Sequence, residues 1–248
     1  MKRIIVNADD FGINERVTKE IEKAIECGCV SSTTIMANGK CLDEVADFSR
    51  KHPEVSFGVH LCLSEFESIT KSPVFRKYGL IDQNGIFIKK QIFSIMHFDI
   101  ELKSAIKEEL IAQIRKIKGY NIPLSHCDSH HHAHTIWGLH QLIRDVIKEE
   151  GFDKIRLPRN VVTYNLFRHP IESQKQLGVK RYYKSKFVTT DLFCSYAEYV
   201  KGKSFLCDGT IELMCHPGHD FFQEEYRWVM DREIFRDKEV RLINYKDI

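Results

Sequence analysis

Short apolar runs and amphipathic stretches alternate along the whole chain. The first apolar run, Ile4 to Val6, is β-branched throughout, which is typical of a strand. From Asn14 to Cys27, apolar residues recur at the spacing of an amphipathic helix, and Gly28 suits the end of such a helix. A strand followed directly by a helix is one βα unit, and its repetition predicts a parallel sheet covered by helices.

The same two patterns recur through the rest of the sequence. They predict strands over 29–37, 55–63, 124–128, 154–157, 186–189 and 209–215, with a short closing strand near 240–243. They predict helices over 42–49, 99–118, 137–149, 171–177 and 191–200, and a charged helix within the tail 220–248.

Residues 64–98 interrupt this alternation. They contain Pro73, Gly79 and several aromatic residues but no clear period. Because long irregular loops in compact domains are usually functional, we expect an inserted loop or lid here.

The expected fold class is α/β, with residues 1–248 forming a single domain, since α/β barrels often occupy this length. We expect an irregular (β/α) barrel, similar to a TIM barrel and with mostly parallel strands. This architecture is favoured over a doubly wound open sheet. A barrel brings the ends of its first, middle and last strands around one mouth, whereas an open sheet spreads them apart.

The overall charge is close to balanced, with 37 Lys and Arg residues against 35 Asp and Glu residues. This balance predicts neither a nucleic-acid partner nor a membrane-surface partner. No apolar stretch approaches the roughly 20 residues of a membrane span, and no secretory signal pattern follows Met1, so we expect a cytoplasmic protein. The eight cysteines are scattered without a Cys-x-x-Cys pair, which indicates reduced, structural thiols.

Four groups of polar residues directly follow predicted strands. They are the pair Asp9 and Asp10, His60, the histidine-rich stretch 128–134, and His216. In a parallel barrel the carboxyl ends of the strands share one face, where catalytic residues collect, so these groups should converge. A turn with Asp as a helix N-cap is the structural alternative for the aspartate pair.

Two imidazoles and one carboxylate suit a divalent first-row metal that keeps open positions for water and substrate. His60 follows Gly58, which permits close approach, although a hydrogen-bonded core histidine is the alternative. The pattern does not decide which imidazole of the stretch 128–134 would bind the metal, and Asp128 could instead orient a liganding histidine. A solvated loop is the alternative for this stretch.

His216 precedes Pro217, which restricts its backbone to an extended conformation at the end of the last predicted long strand. A rigidly held imidazole suits a general acid, while a plain turn is the alternative. Arg156 and Arg159 could pair with the aspartates at positions 9 and 10, while a surface role is the alternative for Arg159. The sequence has no Gly-x-Ser-x-Gly elbow, no Gly-rich phosphate loop and no His-Glu-x-x-His helix.

Five short motifs together resemble the YdjC-like carbohydrate deacetylases, a family that includes chitooligosaccharide deacetylases. They are NADDFG at 7–12, VSSTT at 30–34, GVHL at 58–61, DSHHHAH at 128–134 and CHPG at 215–218. The motifs follow the order and spacing of the family, whereas 64–98 and 160–205 match only loosely. The charged run 226–236 in the tail departs from the family's pattern.

The resemblance implies a deformed (β/α) barrel that removes an acetyl group from an N-acetylated sugar, as a hydrolase acting on an amide C–N bond. It implies a divalent metal, usually magnesium, with zinc or cobalt also suitable, and the family's metal ligands fall on Asp10, His60 and His130. By the same correspondence, Asp9 is the general base and His216 the general acid. The resemblance also implies a homodimer.

Two rival functions remain open at this point. The pair His132 and His134 invites a metal-dependent phosphoesterase or amidohydrolase of barrel type, although no phosphate cradle is visible. A metal-binding or sugar-binding protein without activity is the other possibility, but it would require neither Asp9 nor His216. The aromatic residues Phe66, Phe75 and Trp137 could stack on sugar rings or simply pack in the core.

Overall fold

A parallel sheet built around the first strand forms the centre of the protein. The computed structural model describes residues 1–159, 170–202 and 208–248. Within these ranges the strands are β1 (Lys2–Phe11), β2 (Ser32–Ile35), β3 (Ser56–Leu61), β4 (Leu124–Ser129), β5 (Leu192–Ser195), β6 (Gly209–Cys215) and β7 (Val240–Leu242). The helices are α1 (Glu15–Glu26), α2 (Leu42–Lys51), α3 (Pro73–Lys77), α4 (Ile100–Lys118), α5 (His140–Glu149), α6 (Pro170–Lys184), α7 (Tyr196–Gly202) and α8 (Gln223–Met230).

The strands pair in the order β4-β3-β2-β1-β6-β5, with β7 added to β1, and every pair is parallel. Beyond β4, the extended backbone at Lys154 and Ile155 continues the sheet through isolated bridges to Val188 and Cys127. The sheet thus forms a half-barrel surrounded by helices, and the predicted single-domain irregular (β/α) barrel is confirmed.

The register of the strands aligns their polar ends. His60 on β3 lies opposite Asp128 on β4, and Ala8 on β1 lies opposite both Thr33 on β2 and Cys215 on β6. Asp9 and His216, which follow Ala8 and Cys215, therefore lie at the same level of the sheet. This is the edge at which catalytic groups of parallel barrels collect.

The first βα unit forms as its sequence predicts. The side chain of Asn14 accepts a hydrogen bond from the backbone N–H of Val17 at 2.9 Å, which satisfies one of the free donors at the start of α1. The helix then buries Val17, Ile21 and Ile25 at helical spacing, and Gly28 follows its end with φ at 67°.

The predicted helix over 191–200 is wrong in its first half. Residues 192–195 form β5, which pairs with β6, and α7 begins only at Tyr196. Phe193 and Cys194 are fully buried in this pairing. Burial against a neighbouring strand overrides local helical preference here.

Other predicted boundaries shift for local reasons. The predicted strands at 154–157 and 186–189 are reduced to the isolated bridges at Lys154, Ile155 and Val188. The helix predicted from 137 begins at His140, because Gly138 has φ at 97°, outside the helical region. The helix predicted over 171–177 extends to Lys184.

Residues 64–98, called the inserted segment below, carry α3, a short 3₁₀ turn at 91–94 and two isolated antiparallel bridges. One buried side chain anchors the start of this segment. The carboxylate of Glu109 on α4 accepts hydrogen bonds from Ser68, Ile69 and Thr70 at 2.7–3.0 Å. Its action as a lid stays a prediction.

The seven cysteines that fall within the described residues form no disulfide, and five of them are buried. Cys207 lies outside the described residues. In the part of the chain that the structure covers, no helix has both the length and the apolar character needed to cross a membrane.

Candidate functional site

A cleft of about 710 Å³ opens at the edge where the strands end. Its polar lining includes residues from β1, β3 and the turns after β4 and β6: Asp9, Asp10, His60, His130, His216 and His219. The structure therefore brings together, in one place, all five site residues named from the sequence.

Asp10, His60 and His130 form a group whose potential ligand atoms all lie within 4.8 Å of one another. The Oδ1 atom of Asp10 is 3.2 Å from His60 Nε2 and 3.0 Å from His130 Nδ1. Asp10 is nearly fully buried, and although burial favours its neutral form, the neighbouring histidines hold the pKa of this carboxyl well below its usual range. One carboxylate and two imidazoles in a buried corner fit a divalent metal ion.

A local irregularity in β1 turns Asp10 toward this group. The pairing register between β1 and β2 shifts between Ala8 and Phe11, and Asp10 has φ at 71°, in the left-handed region. A residue other than glycine in that region carries backbone strain of order 1 kcal/mol. Such strained residues often occur at functional sites.

The second ring nitrogen of His60 faces a buried carboxylate. His60 Nδ1 lies 2.6 Å from Asp128 Oδ1, while Asp128 Oδ2 is 2.5 Å from Nη1 of Arg156. Since Asp128 occupies Nδ1, the Nε2 atom of His60 is the one that faces Asp10. The sequence-based suggestion that Asp128 orients a histidine agrees with this geometry.

Asp9 is held by a buried bidentate ion pair. Nη1 and Nη2 of Arg156 each donate to one Asp9 oxygen at 2.7 Å, and Asn7 Nδ2 donates to Oδ1 at 2.9 Å. Burial would raise the pKa of Asp9, but the Arg156 guanidinium outweighs it and keeps the pKa well below its ordinary value. The expected pairing of Arg156 with an aspartate is therefore confirmed, whereas Arg159 pairs with Glu198.

Arg156 also binds a third acid, Glu212 on β6. Its Nε donates to Glu212 Oε1 at 2.7 Å, and Tyr245 donates to Glu212 Oε2 at 2.6 Å. Burial raises the pKa of Glu212 to about 7 despite these partners. Glu212 is therefore partly protonated near neutral pH, which reduces the negative charge that three carboxyl groups bring to one guanidinium.

His216 is fixed from two sides just after β6. Its backbone N–H donates to Glu225 Oε1 at 3.0 Å, and its Nδ1 lies 3.4 Å from the same oxygen. Its ring stacks on Phe222, with ring centroids 4.3 Å apart. Burial lowers the pKa of His216, but Glu225 and Asp9 outweigh this and raise it above the ordinary value, which favours the imidazolium form near neutral pH.

Two of the remaining histidines after β4 lie within hydrogen-bond distance of serine hydroxyls. His134 Nδ1 lies 2.6 Å from Ser129 Oγ, and His131 Nδ1 lies 2.9 Å from Ser64 Oγ. Burial lowers the pKa of His134 to about 3, so it is neutral. Among the described residues, neither His132 nor His134 belongs to a group that could hold a metal.

Sequence reasoning missed three polar groups at the site. Glu65 Oε2 lies 3.0 Å from His130 Nε2, Glu225 contacts His216, and His219 Nε2 lies 3.1 Å from Asp10 Oδ2. His219 directly follows the CHPG motif, and this position could have identified it as a site residue. Glu65 and Glu225 had none, because each belongs to a stretch without a strand pattern and reaches the site through tertiary packing.

The aromatic lining differs from expectation. Phe66 lines the cleft as suggested, together with Phe93, Phe221 and Phe222. Phe75 is fully buried in the core, and Trp137 does not line the cleft.

A family model described as YdjC-like protein matches residues 3–244. The chain belongs to the YdjC-like family. Two curated relatives of this YdjC-like protein are named carbohydrate deacetylase. The one from Clostridium beijerinckii is 24% identical over 273 residues, covering 99% of this chain and 100% of the relative. The one from Thermoanaerobacter pseudethanolicus is 28% identical over 256 residues, covering 100% of this chain and 93% of the relative.

Solved structures agree with the fold of this YdjC-like protein. A protein of Enterococcus faecalis described as a cellobiose-phosphate cleavage protein aligns with a TM-score of 0.75 at 23% identity, over 99% of this chain and 98% of that one. A polysaccharide deacetylase from Bacillus cereus aligns with a TM-score of 0.50 at 11% identity, over 99% and 92% of the two chains. At these identities the likeness concerns the fold alone.

Proposed function

We propose that this YdjC-like protein is a metal-dependent carbohydrate deacetylase, a hydrolase that removes the acetyl group from an N-acetylated sugar or chitooligosaccharide. Two relatives matched over nearly their full length carry the name carbohydrate deacetylase. The observation that carries the proposal is the arrangement of a metal-binding group, an ionised carboxylate and an imidazolium around one cleft. These are the three parts that metal-assisted hydrolysis of an amide needs.

The metal would be held by Asp10, His60 and His130. We propose Mg²⁺, as the family resemblance implies, with Zn²⁺ or Co²⁺ as alternatives that two imidazoles suit. A divalent ion bound there would polarise an acetyl carbonyl and lower the pKa of a bound water, so that even a weakly basic carboxylate could accept its proton.

Asp9 would be that proton acceptor, the general base. Its two oxygens are fixed by Arg156, and its charge is preserved at neutral pH by the same ion pair. Arg156 therefore positions the base and does not itself react. General acid–base assistance of this kind typically contributes about 10²–10⁴ in rate.

His216 would be the general acid that gives a proton to the departing sugar amine. Glu225 occupies the Nδ1 side of its ring, which leaves Nε2 as the nitrogen that can face substrate. Phe222 holds the ring plane by stacking. Because the pKa of His216 is raised, its imidazole carries the proton to be donated near neutral pH.

The aromatic lining of the cleft suits a sugar. Phe221 is 96% exposed and Phe93 is 43% exposed, and both line the cleft. Exposed aromatic faces beside polar groups are typical of sites that bind partly apolar ligands. A sugar ring presents an apolar C–H face that could pack on such a phenylalanine.

The test is acetate release from N,N′-diacetylchitobiose by metal-stripped protein, with and without added Mg²⁺, Zn²⁺ or Co²⁺. We expect activity that depends on the added metal and that falls by about 10²–10⁴ in Asp9→Asn. The matched control is Asp43→Asn, which makes the same change at an exposed position on α2. Acetate release that survives in Asp9→Asn, or none with any metal, would reject the proposal.

The two rival functions have separate readouts. Hydrolysis of p-nitrophenyl phosphate without acetate release would favour a phosphoesterase, although His132 and His134 stand apart from the metal-binding group. Tight binding of the acetylated sugar without turnover would favour a sugar-binding protein.

A further inference from the structure

Each imidazole of the metal-binding group has a carboxylate on its other ring nitrogen. For His60 this partner is Asp128, at 2.6 Å from Nδ1. For His130 it is Glu65, at 3.0 Å from Nε2. Metal-binding histidines usually donate their second ring N–H to such a partner, which fixes the tautomer and ring orientation and makes the ligand nitrogen more basic.

We propose that Glu65 is the positioning residue of His130, so that cation binding depends on the inserted segment. The inference rests on the metal group named under the proposed function. Glu65 is the second residue of the segment, and Lys89 near its other end binds the same carboxylate, with Nζ 3.0 Å from Oε1. Lys89, Glu65 and His130 thus connect both ends of the inserted segment to one ligand of the site.

The backbone around Glu65 is also tied to the site. Its carbonyl oxygen accepts a hydrogen bond from the Cys62 thiol at 3.0 Å, one residue after β3 ends. The preceding residue, Ser64, lies 2.9 Å from the ring of His131 through its hydroxyl. Glu65 is therefore placed by contacts with the residues after β3 and after β4.

The two partner carboxylates differ in their surroundings. The side chain of Asp128 is fully buried and also paired with Arg156, whereas that of Glu65 is 26% exposed. A partly exposed partner is screened by water and contributes less. Loss of an orienting partner typically weakens metal binding 10–100-fold, so we expect Glu65 to lie toward the lower end of that range.

The experiment measures metal affinity directly, by calorimetric titration of metal-stripped protein with Co²⁺ or Zn²⁺. We expect one ion per chain in the unchanged protein and a Kd about tenfold higher in Glu65→Ala. Glu65→Gln keeps a hydrogen-bond acceptor but loses the charge, so its Kd should lie between the two.

The matched control is Glu67→Gln. Glu67 lies two residues further along the inserted segment, in an exposed ion pair with Lys71. We expect the Glu67→Gln variant to bind the ion with the same Kd as the unchanged protein. Thermal unfolding of all variants without metal identifies any variant that fails to fold. If Glu65→Ala does not fold, the Kd of Glu65→Gln, which preserves the shape of the side chain, tests the role of Glu65.

Two results would overturn this role. One is a Kd in Glu65→Ala equal to that of the control. The other is two ions in the unchanged protein and one in Glu65→Ala, which would make Glu65 a ligand of a second ion with His130 and His131, since these three residues could also hold a metal.

Failure of the proposed function would look different. In that case the unchanged protein would release no acetate whatever its metal content, while the Glu65 variants could still differ in Kd. If Asp10→Asn kept full affinity, the assignment of the metal group itself would be wrong, and the role of Glu65 with it.

Discussion

At the scale of single residues, the site depends on charges that are buried together. Arg156 is fully buried and contacts the carboxylates of Asp9, Asp128 and Glu212. Removing one partner from such a buried set typically costs about 3–5 kcal/mol, because the remaining charges lose their compensation. The same guanidinium therefore compensates the buried carboxyl groups and fixes the proposed base.

Glu225→Gln tests the residue that holds His216. Burial lowers the pKa of His216, but the carboxylates of Glu225 and Asp9 stabilise the imidazolium and raise the pKa above its ordinary value. A general acid is active while protonated, so activity should fall as pH rises through its pKa. Without the carboxylate this pKa is lower, and the alkaline limb of the kcat profile should move to lower pH.

A full pH–rate profile of Glu225→Gln measures this shift, with Glu224→Gln as the exposed neighbour for comparison. Glutamine can still accept the backbone hydrogen bond of His216, so the loop should keep its shape. An alkaline limb at the same pH in both variants would mean that His216 is not the group that titrates.

At the scale of elements, a carboxylate of α4 anchors the start of the inserted segment. Glu109 on α4 is fully buried and accepts hydrogen bonds from Ser68, Ile69 and Thr70. Backbone and hydroxyl donors without a partner are costly in a buried place. The start of the segment should therefore open when this carboxylate is lost.

In Glu109→Ala we expect the free energy of local opening of residues 64–98 to fall by about 2 kcal/mol, since several buried donors lose their acceptor. Amide hydrogen exchange measures this, and the amides of the sheet should keep their protection. The comparison variant is Glu108→Ala, which removes an exposed side chain from the same helix. Uniform loss of protection across the protein would show that Glu109 supports the whole fold and not the segment alone.

The strands that carry the site were predictable because each ends in, or leads directly into, polar residues, and β1 also contains the β-branched run Ile4 to Val6. β1, β3, β4 and β6 lie where the pattern indicates, and His60 could be singled out with Gly58 before it. At Gly58 an added Cβ would lie only 2.6 Å from the ring of His126, so the glycine is needed for β3 and β4 to pack.

Other parts of the fold carry no local signal. Residues 192–195 were predicted as the start of a helix, but they form a strand that pairs with β6. The role of Glu65 depends on where the inserted segment folds back, which no period in its sequence reports. Such contacts are set by tertiary packing and cannot be derived from neighbouring residues.

At the scale of the whole molecule, the homodimer expected from the family resemblance stays a prediction. Light scattering after size-exclusion chromatography should give twice the mass of one chain. The residues proposed for metal binding and proton transfer all come from a single chain. Activity per chain should therefore stay constant on dilution below the dimer's dissociation constant, and a loss that follows dissociation would mean that the partner completes the cleft.

The position of β1 has a consequence for synthesis. This strand leaves the ribosome before the others, yet its neighbours include residues 209–215 and 240–242, which are made last among the strands. Pairing between such distant segments is slow, because the intervening chain must be ordered first. The nascent protein must therefore leave the edge of β1 that pairs with β6 free for most of its translation, and a free strand edge at this stage favours aggregation.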